Sequence, residues 1–310
     1  MKPHLIIISG PTAVGKTELS IHLAKELNGE IISADSMQIY KYMDIGSAKI
    51  SAKEMKGVKH YLIDTLRPDE EFNVLKFQQM AKEAMKNIYE TGKIPIITGG
   101  TGFYIQSVLY DISFSNQDDR AIRKELLTFM EQNGKEALYR ELQQVDPSYA
   151  RNLHPNNVKK VIRGLAFYKS TGKPLSLHNQ EEQKKESPYN FCYFVLTMER
   201  NKLYNRIDKR VDQMMESGLL EEVSKLKKMG YDKNMVSMQG LGYKELFSYL
   251  EGEISLLAAV EKIKRDTRHF AKRQMTWFRR EKDVIFIEKN HESLHNMLVK
   301  VKEIINDDEK

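Results

Sequence analysis

Residues 10–17 read G-P-T-A-V-G-K-T and match the phosphate-loop pattern G-x-x-x-x-G-K-[ST] at every fixed position. The apolar run 5–8 precedes this loop, and Leu19, Leu23 and Leu27 follow it at helical spacing. A strand, a glycine loop and a helix in that order let backbone N–H groups converge on a phosphate. The stretch therefore predicts an α/β fold with a P-loop NTPase-like core that binds a phosphate or diphosphate.

Every residue of this loop is a candidate for diphosphate binding. The candidates are Gly10, Pro11, Thr12, Ala13, Val14, Gly15, Lys16 and Thr17. Lys16 adds a positive charge, and the Thr17 hydroxyl can reach a Mg²⁺ ion, which makes Thr17 the candidate metal ligand. The alternative is a tight glycine turn without a ligand, which the strand and helix around the loop disfavour. The loop does not identify the molecule that carries the phosphate.

The bulk composition narrows the class of protein. A chain of 310 residues with 41% hydrophobic and 30% charged residues fits one large globular domain or two smaller ones. No apolar stretch is long enough for a membrane span, and the chain enters its first strand without room for a signal peptide. Cys192 is the only cysteine, which excludes an internal disulfide. We expect a cytoplasmic protein, and a monomer, although the sequence does not fix the oligomeric state.

Short apolar runs predict the strands of a mainly parallel sheet. They are Leu5–Ser9, Glu30–Ala34, His60–Ile63, Ile94–Thr98, Phe191–Thr197 and Val284–Ile287. Helical patterns such as Val74–Tyr89 separate most of them, as expected for an α/β domain. In such a sheet, binding residues gather beyond the carboxyl ends of the strands.

Residues 114–190 contain no convincing strand and predict an all-helical inserted domain between two parts of the core, 1–113 and 191–310. The helical patterns of the insertion are Asp118–Gln132, Lys135–Gln143 and Asn157–Ser170. The polar stretch 180–187 resembles an exposed link, and long helices are predicted between Asn201 and Arg280.

Two loops after predicted strands carry further candidates. Asp35 follows the second strand and could act as a general base, hold a magnesium-bound water or cap the next helix. The stretch 98–102 (T-G-G-T-G) follows the fourth strand, where many NTPases place an acidic residue that organises magnesium. The missing acid disfavours ATP hydrolysis. Glycines there permit close approach to a ligand, and Thr101 can hydrogen-bond a substrate, although a plain turn is the alternative.

Arg206 and Arg210 lie four residues apart and therefore share a helix face. Paired arginines suit a diphosphate, because each planar guanidinium can bind two of its oxygens. The alternative is that both arginines lie on an exposed helix surface and form salt bridges with Asp208 and Asp212.

The net charge of +6 is concentrated near the carboxyl end. Residues 262–282 contain nine basic and two acidic residues, with His269 and Trp277 among them. Such a stripe favours a polyanionic partner, with nucleic acid ahead of the alternative of a solvated helix face.

Taken together, these motifs and several others resemble the tRNA dimethylallyltransferases, also called tRNA isopentenyltransferases, over nearly the whole chain. The shared segments include residues 34–40 (A-D-S-M-Q-I-Y), 43–49 (M-D-I-G-S-A-K), 60–64 (H-Y-L-I-D), 206–211 (R-I-D-K-R-V), 242–245 (G-Y-K-E) and 271–279 (A-K-R-Q-M-T-W-F-R). The resemblance implies transfer of a dimethylallyl group from dimethylallyl diphosphate to the exocyclic amine of an adenosine beside the tRNA anticodon, assisted by Mg²⁺.

The resemblance also implies residue roles. Lys16 with Arg206, Arg210 or both would stabilise the leaving diphosphate. Asp35 would take the proton from the amine, and Thr101 would hydrogen-bond the nucleotide or the diphosphate. The implied contacts to the tRNA anticodon stem-loop are Asp35, Ser36, Met37, Gln38, Thr101, Arg123, Lys159, Lys160, Val161, Ile162, Arg163, Lys272, Arg273 and Gln274.

The chain departs from the family pattern at two places. Lys159 and Lys160 stand where relatives often have Gln-Arg, which keeps phosphate contacts but puts specific base contacts in question. Lys41-Tyr42 replaces a frequent Arg-Gly. Two other classes remain open from the residues alone: a nucleoside or small-molecule kinase, which would turn over ATP, and an RNA-binding module without activity, which would leave the phosphate loop and Asp35 without a role.

Overall fold

A computed structural model describes residues 2–114 and 119–307, with side chains as far as 304. Within these residues, six strands form one parallel sheet in the order β3-β2-β4-β1-β5-β6. The strands are β1 His4–Ser9, β2 Gly29–Ser33, β3 His60–Tyr61, β4 Ile94–Gly99, β5 Asn190–Thr197 and β6 Val284–Glu288. The prediction of an α/β fold with a parallel sheet is confirmed.

Helices connect these strands and form the rest of the described chain. They are α1 Lys16–Glu26, α2 Val74–Glu90, α3 Gly102–Leu109, α4 Arg120–Asn133, α5 Lys135–Val145, α6 Pro147–Ala150, α7 Val158–Thr171, α8 Leu175–Glu182, α9 Arg200–Glu216, α10 Leu219–Lys228, α11 Tyr243–Leu250, α12 Leu256–Phe278 and α13 Ser293–Asp307. A 3-10 helix spans Ser237–Gln239. No helix in the described part of the chain is long and apolar enough to cross a membrane.

The central strand β1 is buried on both faces, as a parallel sheet covered by helices requires. Ile6 and Ile8 pack in a cluster that contains residues of α1 and α13, while Ile7 is equally buried on the opposite face. Helix α2 packs against β2 and β4. The only cysteine, Cys192 on β5, is 3% exposed, and burial raises the pKa of its thiol to about 12. It therefore packs as a small apolar residue.

The chain divides into two compact units, and each is described by itself. Residues 1–109 with 188–310 form the sheet unit, and residues 110–187 form the helical unit. In the helical unit, α4, α5 and α7 enclose a core that includes Leu138, Leu142 and Leu165. The buried Asp146 accepts hydrogen bonds from the backbone N–H groups of Tyr149 (3.0 Å) and Ser176 (2.8 Å), which joins α6 to α8.

Sequence patterns located most elements within two residues, and the differences have local causes. Strand β3 ends at Tyr61 instead of Ile63, because Leu62 adopts a left-handed backbone with φ +62°. Helix α8 occupies the first three residues of the predicted link 180–187. Helix α4 begins at Arg120 within the predicted range Asp118–Gln132, whose first residue lies outside the described residues.

Candidate active site

The loop that the sequence identified joins β1 to α1 at the carboxyl edge of the sheet. Gly10 has φ +142° and Gly15 has φ +100°, both in a region that side chains disfavour. A Cβ atom at Gly10 would lie 2.6 Å from the Leu196 carbonyl oxygen, so only glycine fits. The Lys16 ammonium donates hydrogen bonds to the carbonyl oxygens of Gly10 (3.0 Å) and Pro11 (2.9 Å). We call residues 10–17 the phosphate loop.

Positive charge is concentrated beside this loop. Burial lowers the pKa of Lys16 to about 8; the nearby Asp35 carboxylate opposes this shift, and the Arg210 guanidinium adds to it. Burial also lowers the pKa of Arg210, with Asp35 opposing and Arg206 adding to the effect. Two cations that repel each other in a desolvated place, with one carboxylate nearby, favour the binding of an anion.

Helix α9 presents Arg206 and Arg210 to the phosphate loop. One guanidinium nitrogen of Arg206 lies 3.8 Å from the position of a Cβ atom on Gly15. The interpretation of these arginines as a surface paired with their neighbouring acids is wrong, because the acids pair with α12. Asp208 binds Arg268 at 2.5 Å, and Asp212 binds Lys264 at 2.7 Å. Both arginines therefore remain candidates for diphosphate binding.

Asp35 lies just beyond β2 and does not cap a helix. One carboxylate oxygen accepts a hydrogen bond from the backbone N–H of Met37 at 2.9 Å, which closes a turn over residues 35–37. The residues after it form turns, not a helix. The helix-cap alternative is therefore wrong, and Asp35, which accepts from the Met37 N–H, lines a cavity.

The glycines beyond β4 serve close packing within the protein. A Cβ atom at Gly99 would lie 2.3 Å from the Ala34 carbonyl oxygen, and one at Gly100 would lie 2.1 Å from the Gln274 amide nitrogen. Protein atoms therefore occupy the space beside these glycines, where we expected a ligand to approach. Thr101, the next residue, lines the cavity together with Asp35.

Gln274 ties this turn to the phosphate loop. Its amide oxygen accepts from the Thr12 backbone N–H (2.9 Å), and its amide nitrogen donates to the Gly100 carbonyl oxygen (3.0 Å). The side chain is 7% exposed. We expected a contact with tRNA from Gln274, but its amide already has a backbone partner at each end.

A cavity of ≈ 480 Å³ lies among these elements within the sheet unit. Its polar lining includes Thr12 of the phosphate loop, Asp35, Thr101 and Arg210. Much of its apolar lining comes from Met37, Tyr40, Phe72, Tyr104, Ile207, Val211, Met214 and Phe270. A cavity with a charged side and an apolar side can hold a molecule that combines an anionic group with a hydrocarbon group.

One wall of the cavity is formed by residues 43–48, which we call the wall loop. The Glu222 carboxylate accepts hydrogen bonds from three consecutive backbone N–H groups, those of Asp44 (2.8 Å), Ile45 (2.8 Å) and Gly46 (3.1 Å). It also accepts one from the hydroxyl of the fully buried Tyr243 at 2.7 Å. A Cβ atom on Gly46 would lie 2.6 Å from the Tyr243 ring.

Lys49 fixes the other end of the wall loop. Its ammonium, on a side chain 5% exposed, donates to Asp44 (2.6 Å), Asp64 (2.5 Å) and the Tyr40 carbonyl oxygen (2.7 Å). Sequence reasoning did not assign a role to Glu222. No local pattern could have done so, because its partners lie about 180 residues earlier in the chain.

The residues predicted to bind tRNA fall into three groups. Ser36 and Met37 line the cavity, whereas the Gln38 amide donates to the Ala48 carbonyl oxygen at 3.2 Å. Lys272 and Arg273 are exposed on α12.

The third group belongs to the helical unit. Lys159, Lys160 and Arg163 are exposed on α7, but Val161 and Ile162 are buried in the core of that unit. The side chains of these two residues therefore cannot contact tRNA in this arrangement. Arg123 on α4 forms an ion pair with Asp119 at 2.7 Å.

Comparison with known proteins identifies the family. The model of the family described as IPP transferase matches residues 38–281. A tRNA dimethylallyltransferase of Lachnoclostridium phytofermentans is 56% identical over 100% of this chain and 99% of its own length. The chain belongs to the IPP transferase family.

Solved structures agree with this assignment. The tRNA isopentenylpyrophosphate transferase of Bacillus halodurans is 41% identical, with a TM-score of 0.74 and full coverage of both chains. A eukaryotic dimethylallyltransferase studied in crystals while acting on tRNA is 31% identical, with a TM-score of 0.80 over 92% of this chain and 74% of that chain. The family resemblance predicted from the sequence is confirmed.

Proposed function

We propose that the protein transfers a dimethylallyl group from dimethylallyl diphosphate to the exocyclic amine of the adenosine adjacent to the tRNA anticodon, with release of diphosphate. Its family and the names of its relatives support a prenyl transfer to tRNA. The observation that carries the proposal is the cavity, because its lining combines Thr12 of the phosphate loop, Arg210 and Asp35 with an apolar wall.

The phosphate loop would bind the leaving group. Backbone N–H groups at the start of α1 and the ammonium of Lys16 would face the diphosphate oxygens, as in other phosphate loops. As the bond between the allyl carbon and the diphosphate oxygen breaks, negative charge grows on that oxygen. Lys16 and Arg210, both desolvated, would stabilise it more strongly than they could in water.

Asp35 would serve the other half of the reaction. The amine nitrogen of adenosine forms the new bond to the allyl carbon and must lose a proton. The Asp35 carboxylate can accept that proton, since Asp35 lines the cavity and one of its oxygens accepts from the Met37 N–H while the other can face the amine. Thr101, on the same wall, can hold the nucleotide or the diphosphate through its hydroxyl.

The residues present fit a magnesium ion bound largely through its substrate. Mg²⁺ typically keeps several waters and takes one or two protein oxygens beside the phosphate oxygens. Thr17, the second residue of α1, offers a hydroxyl next to Lys16, and Asp35 offers a carboxylate near the same ammonium. The ion would neutralise charge on the diphosphate.

For tRNA we propose two cationic surfaces, one in each unit. Lys272 and Arg273 on α12 lie beside the cavity, which Arg273 also lines. Lys159, Lys160 and Arg163 on α7 form the second surface. The target base must leave the stack to enter the cavity, and an anticodon loop makes this inexpensive because its bases are already partly unstacked. We propose a cytoplasmic monomer, which light scattering would test.

The proposal is tested with labelled donors. The protein is incubated with Mg²⁺, unmodified tRNA and dimethylallyl diphosphate labelled in the allyl group, and a parallel reaction contains ATP labelled in its terminal phosphate. We expect allyl label in the tRNA and no consumption of ATP. Allyl label that stays in the donor would contradict the transfer, and phosphate transfer from ATP would favour the kinase.

A further inference from the structure

Lys289 reaches the phosphate loop from the far end of the chain. It is the first residue after β6, and its backbone N–H donates to the Thr197 carbonyl oxygen at the end of β5 (2.9 Å). This bond fixes Lys289 at the same edge of the sheet as the phosphate loop. Its Cε atom lies 3.2 Å from the position of a Cβ atom on Gly15, beside the Arg206 guanidinium.

The present partner of Lys289 holds it weakly. Its ammonium lies 3.4 Å from a carboxylate oxygen of Glu18, a side chain that is 66% exposed, whereas the Lys289 side chain is 19% exposed. An ion pair of that length with an exposed carboxylate contributes little to stability. The lysine can therefore exchange Glu18 for another anion at small cost.

We propose that Lys289 is a further diphosphate-binding residue, whose ammonium leaves Glu18 for a phosphate oxygen when the allyl donor binds. This inference rests on the proposed function, since it requires that the phosphate loop bind diphosphate. Gly15 leaves the space over the loop that the lysine stem occupies. Lys289 thus joins Lys16, Arg206 and Arg210 around one loop, and it approaches from the side of β6 while both arginines come from α9.

The competing explanation is that the Lys289–Glu18 pair merely clamps α1 to the end of β6. Two substitutions separate the explanations, because Lys289→Gln and Glu18→Gln break the same ion pair. A clamp predicts equal effects. A diphosphate contact predicts unequal effects: Lys289→Gln removes a ligand and weakens binding, whereas Glu18→Gln releases the lysine from a competitor and does not weaken it.

The measurement is calorimetric titration of the full chain with inorganic pyrophosphate at fixed Mg²⁺ and ionic strength. We expect Lys289→Gln to weaken binding about tenfold, as for a lost charge-assisted hydrogen bond. Lys289→Arg should recover most of the loss, and Glu18→Gln should bind as tightly as the unaltered protein or more tightly. Lys300→Gln is the matched control, because Lys300 on α13 is also paired with a glutamate, Glu303, at 2.8 Å.

The outcomes discriminate between the two proposals. Unaltered binding in Lys289→Gln, or equal weakening in Lys289→Gln and Glu18→Gln, would overturn the role of Lys289 and leave the proposed function intact. If the unaltered protein did not bind pyrophosphate at all, the diphosphate site of the proposed function would be wrong, and the role of Lys289 with it.

Discussion

The phosphate loop and the wall loop border the same cavity but differ in where most of their contacts come from. The phosphate loop is held mostly by its own residues: Lys16 binds carbonyl oxygens five and six residues earlier, and Gly10 and Gly15 supply the backbone angles. Gln274 on α12 adds one contact from outside, at the Thr12 N–H. The wall loop depends more on outside contacts, because three of its N–H groups bind the Glu222 carboxylate on α10, and the Tyr243 hydroxyl on α11 donates to the same carboxylate.

This difference separates two tasks. The phosphate loop and Asp35 carry the groups that would take part in the reaction. The wall loop determines the shape of the cavity. A substitution in the first should therefore change rate with little effect on stability. A substitution among the partners of the second should change stability and cavity shape while binding of pyrophosphate at the first persists.

The largest effect is expected at Asp35. Replacement by Ala should reduce prenyl transfer about 10²–10⁴-fold, the range for loss of a general base, while tRNA binding is largely kept. Asp35→Asn is the matched control, since its side-chain oxygen can still accept from the Met37 N–H. Single-turnover rates with labelled donor provide the measurement. If Asp35→Asn retained the unaltered rate, the carboxylate would serve only the turn.

Lys16→Met should have the second-largest effect. Transfer should be about 10²–10³-fold slower, because the preorganised positive charge of Lys16 beside the leaving group is lost. Lys25→Met, an exposed position on the same helix, serves as the control. Thermal unfolding should show only a modest loss of stability in Lys16→Met, since two hydrogen bonds to the Gly10 and Pro11 carbonyl oxygens are lost while the cost of burying a charge is removed. A rate near that of the unaltered protein would remove Lys16 from the mechanism.

Glu222→Ala should act on stability first. Three backbone N–H groups and the Tyr243 hydroxyl lose their acceptor, which should lower the free energy of unfolding by about 1–3 kcal/mol. The Michaelis constant for the allyl donor should rise, while the affinity for inorganic pyrophosphate stays unchanged. Glu221→Ala, its exposed neighbour, is the control. Weaker pyrophosphate binding would mean that the two loops are not independent.

The smallest effect concerns pH. Because burial holds the pKa of Lys16 at about 8, its ammonium loses its proton as the pH rises through that value. A diphosphate binds the protonated form, so the contribution of Lys16 to the affinity should be constant below pH 8 and then fall, approaching about tenfold per pH unit. The same titration in Lys16→Met measures the ionisation of the ligand itself. Identical pH profiles for both proteins would contradict the assignment.

The sequence predicted the self-contained parts of the molecule well. The strand–turn–helix around residues 10–17, the parallel sheet and the family followed from short patterns, because a strand, a glycine turn and a helix start depend mainly on neighbouring residues. The binding of phosphate by residues 10–17 stays a prediction. Asp35 and Thr101 were found because parallel strands bring their carboxyl ends to one edge, and both line the cavity. Their chemical roles stay predictions.

The parts that long-range contacts determine could not be predicted. Glu222 and Lys289 lie against loops more than 170 residues away in the chain, and nothing in their own neighbourhoods indicates this. The same reason explains the basic stripe, where two of the cations, Lys264 and Arg268, are paired with acids of α9. A count of charges along a chain does not show which of them meet a partner in the fold.

The buried thiol of Cys192 makes this chain convenient for fluorescence work. With the thiol 3% exposed and its pKa raised to about 12, it forms almost no thiolate at neutral pH and resists maleimide dyes. A cysteine introduced at Val236, which lines the cavity and is 66% exposed, would then be the single reactive position. A dye attached there could report the arrival of tRNA in real time, in a protein that needs no prior removal of native cysteines.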